Sequence, residues 1–446
     1  MGYLNRSTVH TFSMPSNDDP ILARASRRVL MVAFHFPPLH GSSGIQRTLR
    51  FVQHLPALGW EPIVLSAHPR AYADTNDELL AEIPVGTVVD RPFALDTARH
   101  LAVAGRHPIW LALPDRWATW ALGAVPAGLR LIRRYRPDVI WSTYPIATAH
   151  RIALRLHRLS GIPLVADFRD PMAQEGYPAD PRTWQAYQRI ESAVAQHASR
   201  LVFVTPNARE LYRSRYSTVP AENFVLIENG YDDASFAAAE SGLDRSPLNE
   251  GCVTLLHSGI VYPSERDPRA FFMALGRLRR AGRVDSRNVR IRFRGPVHAD
   301  LLRRLAAESG TQELVELLAP VPYHEALQEM LRAEGLIVMQ GSNCNEQIPA
   351  KLYEYFRARR PILGLADPLG DTGKVMRDAG VTHIAKLEDT VQVESAIDSY
   401  LSAVRNGAPF EWKLSDMSRR ARAGALADVL EEVRAAPSGT PPSRSR

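Results

Sequence analysis

One pattern constrains this chain more than any other. Short apolar, β-rich runs alternate with amphipathic helical stretches, and the whole alternation occurs twice. RVLMVAFHF, beginning at Arg28, is a β-branched and aromatic run of the kind buried in a parallel sheet. The glycine-bearing loop PPLHGSSG follows. IQRTLRFVQHLPALG then carries Ile45, Leu49, Val52 and Leu55 at helical spacing and stops at Gly59. EPIVLS is the next strand. Strand, loop, helix and strand make a βαβ unit, the opening of a doubly wound α/β domain. DVIWSTY, IPLVADF and RLVFVT continue this half. A second half opens at CVTLLHSG and runs through VRIRFRG, LVELLAP, GLIVMQG and PILGLA.

The chain has 446 residues, enough for two or three cores. The pattern divides it into a disordered leader (1–27), an N-terminal domain (28–235), a linker (236–250), a C-terminal domain (251–410), a terminal helix (411–435) and a disordered tail (436–446). The linker is expected because SFAAAESGLDRSPLNEG is small, polar and weakly patterned. The leader has no apolar h-region and carries Asp18 and Asp19, so it does not read as a targeting segment. Cys252 and Cys344 are the only cysteines, which excludes a disulfide scaffold and a multi-cysteine zinc site. A reduced, cytoplasmic setting is expected.

The net charge of +6 raises the question of a nucleic-acid partner. Lysine occurs only at 351, 374, 386 and 413; the other cations are arginines scattered beside nearly as many acids, with no dense basic run. Nucleic acid is therefore not expected as a partner. The most apolar region, Leu101 to Leu131, is broken by Arg106, Asp115 and Arg116 and does not make a clean bilayer span. Trp110, Trp117 and Trp120 there alternate with Arg106, Arg116, Arg130, Arg133 and Arg134. That mixture suits a membrane interface, and it equally describes a core helix with a solvated basic face.

The sharpest constellation is NEQIPAKLYEYFRARRPIL. Glu346 and Glu354 stand eight residues apart, with Ile348, Pro349, Ala350 and Lys351 between them. Proline favours a helix start at Pro349 or Ala350. Glu346 then lies in the loop before the helix and Glu354 about one turn inside it. The helix tip offers free N–H groups and partial positive charge to a phosphate, and Lys351 adds a full charge. One carboxylate on either side could accept hydroxyls at the two ends of a nucleotide-sugar. Alone, the segment reads equally well as a surface helix with solvated Glu and Lys.

The segment resembles the E-x7-E motif of retaining glycosyltransferases of the GT-B fold, family 4 type. FHFPPLHGSSGIQRTLRFVQHLPALGWEPIVL, VADFRDPM, IENGYD, SGIVYPSERDP and FRGP resemble other segments of that family, in the family's order, from about Arg28 to Val433. The resemblance implies an α/β GT-B fold. Two Rossmann-like doubly wound domains would face a central cleft, with a C-terminal helix that crosses back to the N-terminal domain. It implies that Glu354 holds the donor ribose and Glu346 the donor sugar's hydroxyls. Gly41 and Gly44 would let backbone approach the diphosphate, and Arg169 and Asp170 of DFRD would line the site on the acceptor side. Where the family pairs an arginine and a lysine on the phosphates, this chain has Ile260 and, nearest the lysine, Arg266; Lys351 is placed to supply the missing charge.

The activity so implied is retaining transfer of a sugar from a nucleotide donor, UDP-linked, to a hydroxyl of a glycan or lipid-linked glycan. No metal or other cofactor is expected, and the setting is cytoplasmic, at the inner face of the membrane if the aromatic stretch makes contact there. Two alternatives stay open: a non-catalytic nucleotide-sugar-binding or scaffold protein, and a GT-B nucleotide-sugar epimerase. GDTGKV is not a P-loop, because Pro368 replaces the required glycine and Val375 follows Lys374.

Overall fold

The structure is a computed structural model that describes residues 27–40, 44–102, 106–107, 109–410, 412–413 and 416–436. The first domain holds strands β1 (Arg27–Val32), β2 (Trp60–Leu65), β3 (Val88–Asp90), β4 (Val139–Thr143), β5 (Leu164–Arg169), β6 (Arg200–Phe203) and β7 (Phe224–Leu226). They form one parallel sheet in the order β3-β2-β1-β4-β5-β6-β7. The second domain holds β8 (Val253–Ser258), β9 (Val289–Arg294), β10 (Val315–Leu318), β11 (Gly335–Met339), β12 (Ile362–Leu365) and β13 (Ile384–Ala385). Its parallel order is β10-β9-β8-β11-β12-β13. Val29 to Val32 are wholly buried because helices cover both faces of the sheet, which is why the run reads as unbroken apolar residues.

In each sheet the strand order reverses once, between β1 and β4 and between β8 and β11. Loops leaving neighbouring strands diverge there and open a crevice at the carboxyl ends. The chain then returns as expected. The helix Arg419–Ala435 starts at Ser418, whose hydroxyl accepts from Ala421 N at 3.1 Å. It buries Leu426, Val429, Leu430 and Val433 with Met31, Trp60, Trp141 and Val165 of the first domain.

The segment expected to be a linker begins differently. Asp233–Glu240 is a helix, capped by Asp232 and packed through Phe236 and Ala239 into the second domain's core with Leu327 and Leu352. Its alanines conceal a two-residue apolar anchor that periodicity does not register. The aromatic stretch also divides. Trp120 is fully buried, and Trp117 packs on Phe34 and donates its Nε1–H to the Ala71 carbonyl at 3.0 Å. Arg116 pairs with Asp96, and Trp110 alone of the three tryptophans stays largely exposed.

Candidate functional site

The first domain supplies one wall of the cleft. At the end of β5, buried Asp167 accepts two hydrogen bonds from Arg47, at 2.8 and 3.1 Å, and one from Thr143 Oγ1 at 3.1 Å. Arg47 spends its other donors on the carbonyls of Ile227 and Glu228, at 2.9 and 3.0 Å, and so ties the IENG loop to the first helix, Gly44–His54. A buried Asp–Arg pair, Arg47 with Asp167, thus closes this strand end. Arg169 instead turns into the cleft, on a backbone of φ 58° that side chains rarely adopt. Its Nη1 donates to Tyr144 O at 3.4 Å, while its Nε is buried without a hydrogen-bond partner among the described residues. A Cβ at Gly44 would stand 2.5 Å from His35 Nδ1 and 2.7 Å from Arg169 Nη1, so the close approach requires glycine. Burial, and then Arg169, lower the His35 pKa to about 3, which keeps its imidazole neutral.

The second domain supplies the other wall. The helix starts at Ala350, after Pro349, and no side chain caps its first turn. Lys351 is half-buried, with Nζ 3.0 Å from His257 Nε2, and Gly259 (φ 102°) leaves room for it. Arg266 is held by the carbonyl of Ile260 at 3.2 Å and by Gln340 Oε1 at 3.3 Å. Its charge acts on Lys351, where burial first and Arg266 second push the ammonium pKa well below its ordinary value. Glu354 accepts from the Tyr323 hydroxyl at 2.8 Å. Burial raises the Glu354 pKa, and Arg419 opposes that shift. Glu346 is half-buried in the loop before the helix, and among the described residues its carboxylate has no hydrogen-bond or ion-pair partner.

The walls meet along a polar seam. Thr205 Oγ1 donates to the Glu346 carbonyl at 2.6 Å, and Asn207 N donates to Asp371 Oδ2 at 2.9 Å. From the returning helix, Arg419 donates through N to Tyr231 O at 2.7 Å and through Nε to Gly230 O at 2.8 Å. Arg422 pairs with Glu228 at 2.9 Å. Between these groups lies a narrow cleft lined by Arg47, Arg169, Glu228, Ala350, Arg419 and Arg422 among others. Arg47 and Arg422 have carboxylate partners. Among the described residues Arg169 and Arg419 have only carbonyl hydrogen bonds, and Arg419 Nη1, like Arg169 Nε, is buried without a hydrogen-bond partner there. Buried donors left in this state favour an arriving anion. A larger groove between the helices Arg269–Arg280 and Ala299–Ser309 lacks this character: its Arg277 and Arg279 are turned to Glu394 and Glu313.

Residues 43–230 match the family described as glycosyl transferase 4-like domain. That stretch of the first domain is thus similar to a family 4-type glycosyltransferase domain, and the two sheets make a GT-B fold. No functionally curated protein matches the sequence. Among solved structures, Anabaena HepE in complex with UDP is 12% identical, covering 92% of this chain and 97% of that one, with a TM-score of 0.58. Sucrose-phosphate synthase from Thermosynechococcus elongatus is 14% identical, covering 92% and 96%, with a TM-score of 0.59. UDP-GlcNAc 2-epimerase from Methanocaldococcus jannaschii is 11% identical, covering 91% and 99%, with a TM-score of 0.55.

Of the residues singled out from the sequence, the GT-B structure brings Lys351, Glu354 and Arg266 into one cluster. Ala350 and Arg169 line the cleft, Gly44 is buried against His35 and Arg169, and Glu346 lies at the seam. Ile348 departs from expectation: its side chain is buried in the second domain's core with Leu352 and Phe356, leaving only its backbone to face a ligand. Asp170 lies beside Arg169, half-buried, and burial raises its pKa. Gly41 lies outside the described residues. Arg47, His257, Tyr323, Arg419 and Arg422 were not anticipated. IENG marked the loop that Arg47 and Arg422 hold, but no local pattern marks Arg419, which enters the cleft from the returning helix.

Proposed function

We propose that the protein transfers a sugar from a UDP-linked donor to a hydroxyl of a glycan or lipid-linked glycan, with retention and without a metal ion. The observation that carries this reading is the pair of arginines, Arg169 and Arg419, with unpartnered buried donors in a cleft that also receives an uncapped helix tip. In this reading Glu354 takes the ribose, and Glu346 the donor sugar's hydroxyls. Lys351, Arg266 and the amides at Ala350 take the diphosphate. The bond from the anomeric carbon to the β-phosphate oxygen breaks, and its electron pair leaves with the nucleotide. The acceptor oxygen bonds to the anomeric carbon, and its proton passes to the departing phosphate. Cations already in place stabilise the charge as it develops. HepE, of the same fold, binds UDP, which supports the donor class.

The test is to incubate the protein with a panel of nucleotide-sugars, with and without lipid-linked glycan, and to follow nucleotide release and product mass. Acceptor-dependent release supports transfer. Isomerised sugar without acceptor would show an epimerase instead, and binding without turnover a scaffold. Glu354→Gln is expected to weaken donor binding by the worth of a charged hydrogen bond, about 1.5–3 kcal/mol, a factor of roughly 10 to 100. Calorimetry with UDP checks it, and unchanged affinity would remove Glu354 from the ribose.

We also propose peripheral contact with anionic lipid, at the cytoplasmic face. The helices Trp120–Tyr135 and Ala147–Ser160 pack side by side on one face of the first sheet. Between residues 97 and 163 the sequence has ten arginines against two acids, Asp115 and Asp138. Asp115 is buried on Thr148, and Asp138 accepts from Arg28 N. Arg133, Arg134, Arg155 and Arg158 are exposed, and Leu122 and Trp110 are 74% and 68% exposed. No helix among the described residues is long and apolar enough to cross a membrane. The full chain should sediment with vesicles containing phosphatidylglycerol and not with pure phosphatidylcholine, and Arg133→Glu with Arg134→Glu should abolish it. Sedimentation independent of lipid charge would end the proposal.

A further inference from the structure

The Lys351 ammonium rests on an imidazole, where a carboxylate would be the ordinary partner. His257 ends the interior of β8 and is fully buried. Its Nδ1 lies 3.0 Å from the Ile337 carbonyl, which can only accept, so Nδ1 carries the ring proton. Nε2 then presents its lone pair, and Lys351 Nζ stands 3.0 Å from it. The fold builds this contact from two strands and a helix: β11 sets the tautomer, β8 holds the ring, and the helix Ala350–Ala358 delivers the lysine. Gly259 completes it. A Cβ there would lie 3.3 Å from Lys351 Nζ, on a backbone of φ 102° that excludes most side chains.

We infer that His257 is a positioning residue, one that fixes the Lys351 ammonium through a neutral acceptor and so leaves its whole charge for the donor's diphosphate. An Asp or Glu in that place would hold the lysine equally well but would cancel the field that the leaving group needs. A free lysine would keep its charge but pay rotamer entropy at the moment of reaction. The neutral ring avoids both losses, and burial with the nearby Lys351 and Arg266 charges keeps it neutral. One ammonium hydrogen is committed to Nε2, which leaves two for phosphate oxygens.

This inference rests on the transferase reading, and two variants of the full chain separate it from a structural role. Asparagine places its amide N–H near Nδ1 and keeps the Ile337 bond, while losing the lysine's acceptor. Glutamine places its amide oxygen near Nε2 and keeps that acceptor. His257→Asn is expected to lower kcat about 10- to 100-fold, the cost of a catalytic group displaced by about 1 Å, with donor KM little changed. His257→Gln should stay near wild type. A footprint by amine acylation and mass spectrometry reads Lys351 directly: it should label faster in His257→Asn and at the wild-type rate in His257→Gln. The reverse ranking, or equal loss in both variants, would overturn the inference and leave His257 a core residue. If the wild-type chain turns over no donor, the transferase reading fails, and the footprint alone still decides whether His257 holds the lysine.

Discussion

Lys351→Met is expected to lower kcat by about 10²–10³-fold, the loss typical of one preorganised donor to a developing anion, while donor affinity changes far less. Methionine retains the stem's volume, so the helix and its core contacts at Leu352 and Phe356 persist. What disappears is the cation that the transferase reading sets beside the departing diphosphate. Lys351→Arg should not rescue it, because a planar guanidinium does not reproduce the ammonium's compact contact with His257 Nε2. The same site has a proton signature. Lys351 is faced by His257, Arg266 and Glu354; burial and then Arg266 depress its pKa, and Glu354 opposes them. In the empty cleft burial and Arg266 loosen the ammonium's hold on its proton, and on the transferase reading an arriving diphosphate tightens it again. UDP binding should therefore take up protons and weaken as pH rises, read as a binding enthalpy that varies with buffer ionisation heat. Lys351→Met should abolish that variation. Turnover unchanged in this variant would remove Lys351 from the reaction.

Arg47→Met is expected to destabilise the first domain by about 3–5 kcal/mol, the usual result of stripping one partner from a buried ion pair. Asp167 is wholly buried, and Arg47 meets it with two hydrogen bonds. Without the guanidinium the carboxylate keeps, among the described residues, only the hydrogen bond from Thr143, and the carbonyls of Ile227 and Glu228 lose the Arg47 donor as well. Adding Asp167→Asn to Arg47→Met should recover part of the loss, because the orphaned charge is gone. Urea unfolding of the single and double variants checks this. A midpoint unmoved in Arg47→Met would mean that the pair does not hold the IENG loop to the first helix.

These residues also mark how far the chain could be read before its structure. The strands were legible because a parallel sheet covered on both faces tolerates almost nothing but apolar side chains, as at Val29 to Val32. The helix start at Ala350 was legible because proline and its neighbours act through local backbone geometry. The segment 236–250 misled for the opposite reason. Phe236 and Ala239 earn their place only through Leu327 and Leu352 on other elements, and a window of sequence contains no such partner. Trp117 and Trp120 shared a mixed aromatic–basic stretch with Trp110, but their burial depends on Phe34 and the sheet behind them.

Local sequence thus determined two doubly wound domains, their alternation, and one helix tip flanked by Glu346, Lys351 and Glu354. Tertiary structure alone decided which cations meet it. Arg47 finds Asp167 across 120 positions, and His257 finds Lys351 across 94. Arg419 reaches the cleft because Leu426 and Leu430 bury against the first domain and carry the last helix back across the molecule. Burial of apolar area is non-directional, so it fixes no partner by spacing along the chain; the charges it brings together become neighbours only once the cores have closed.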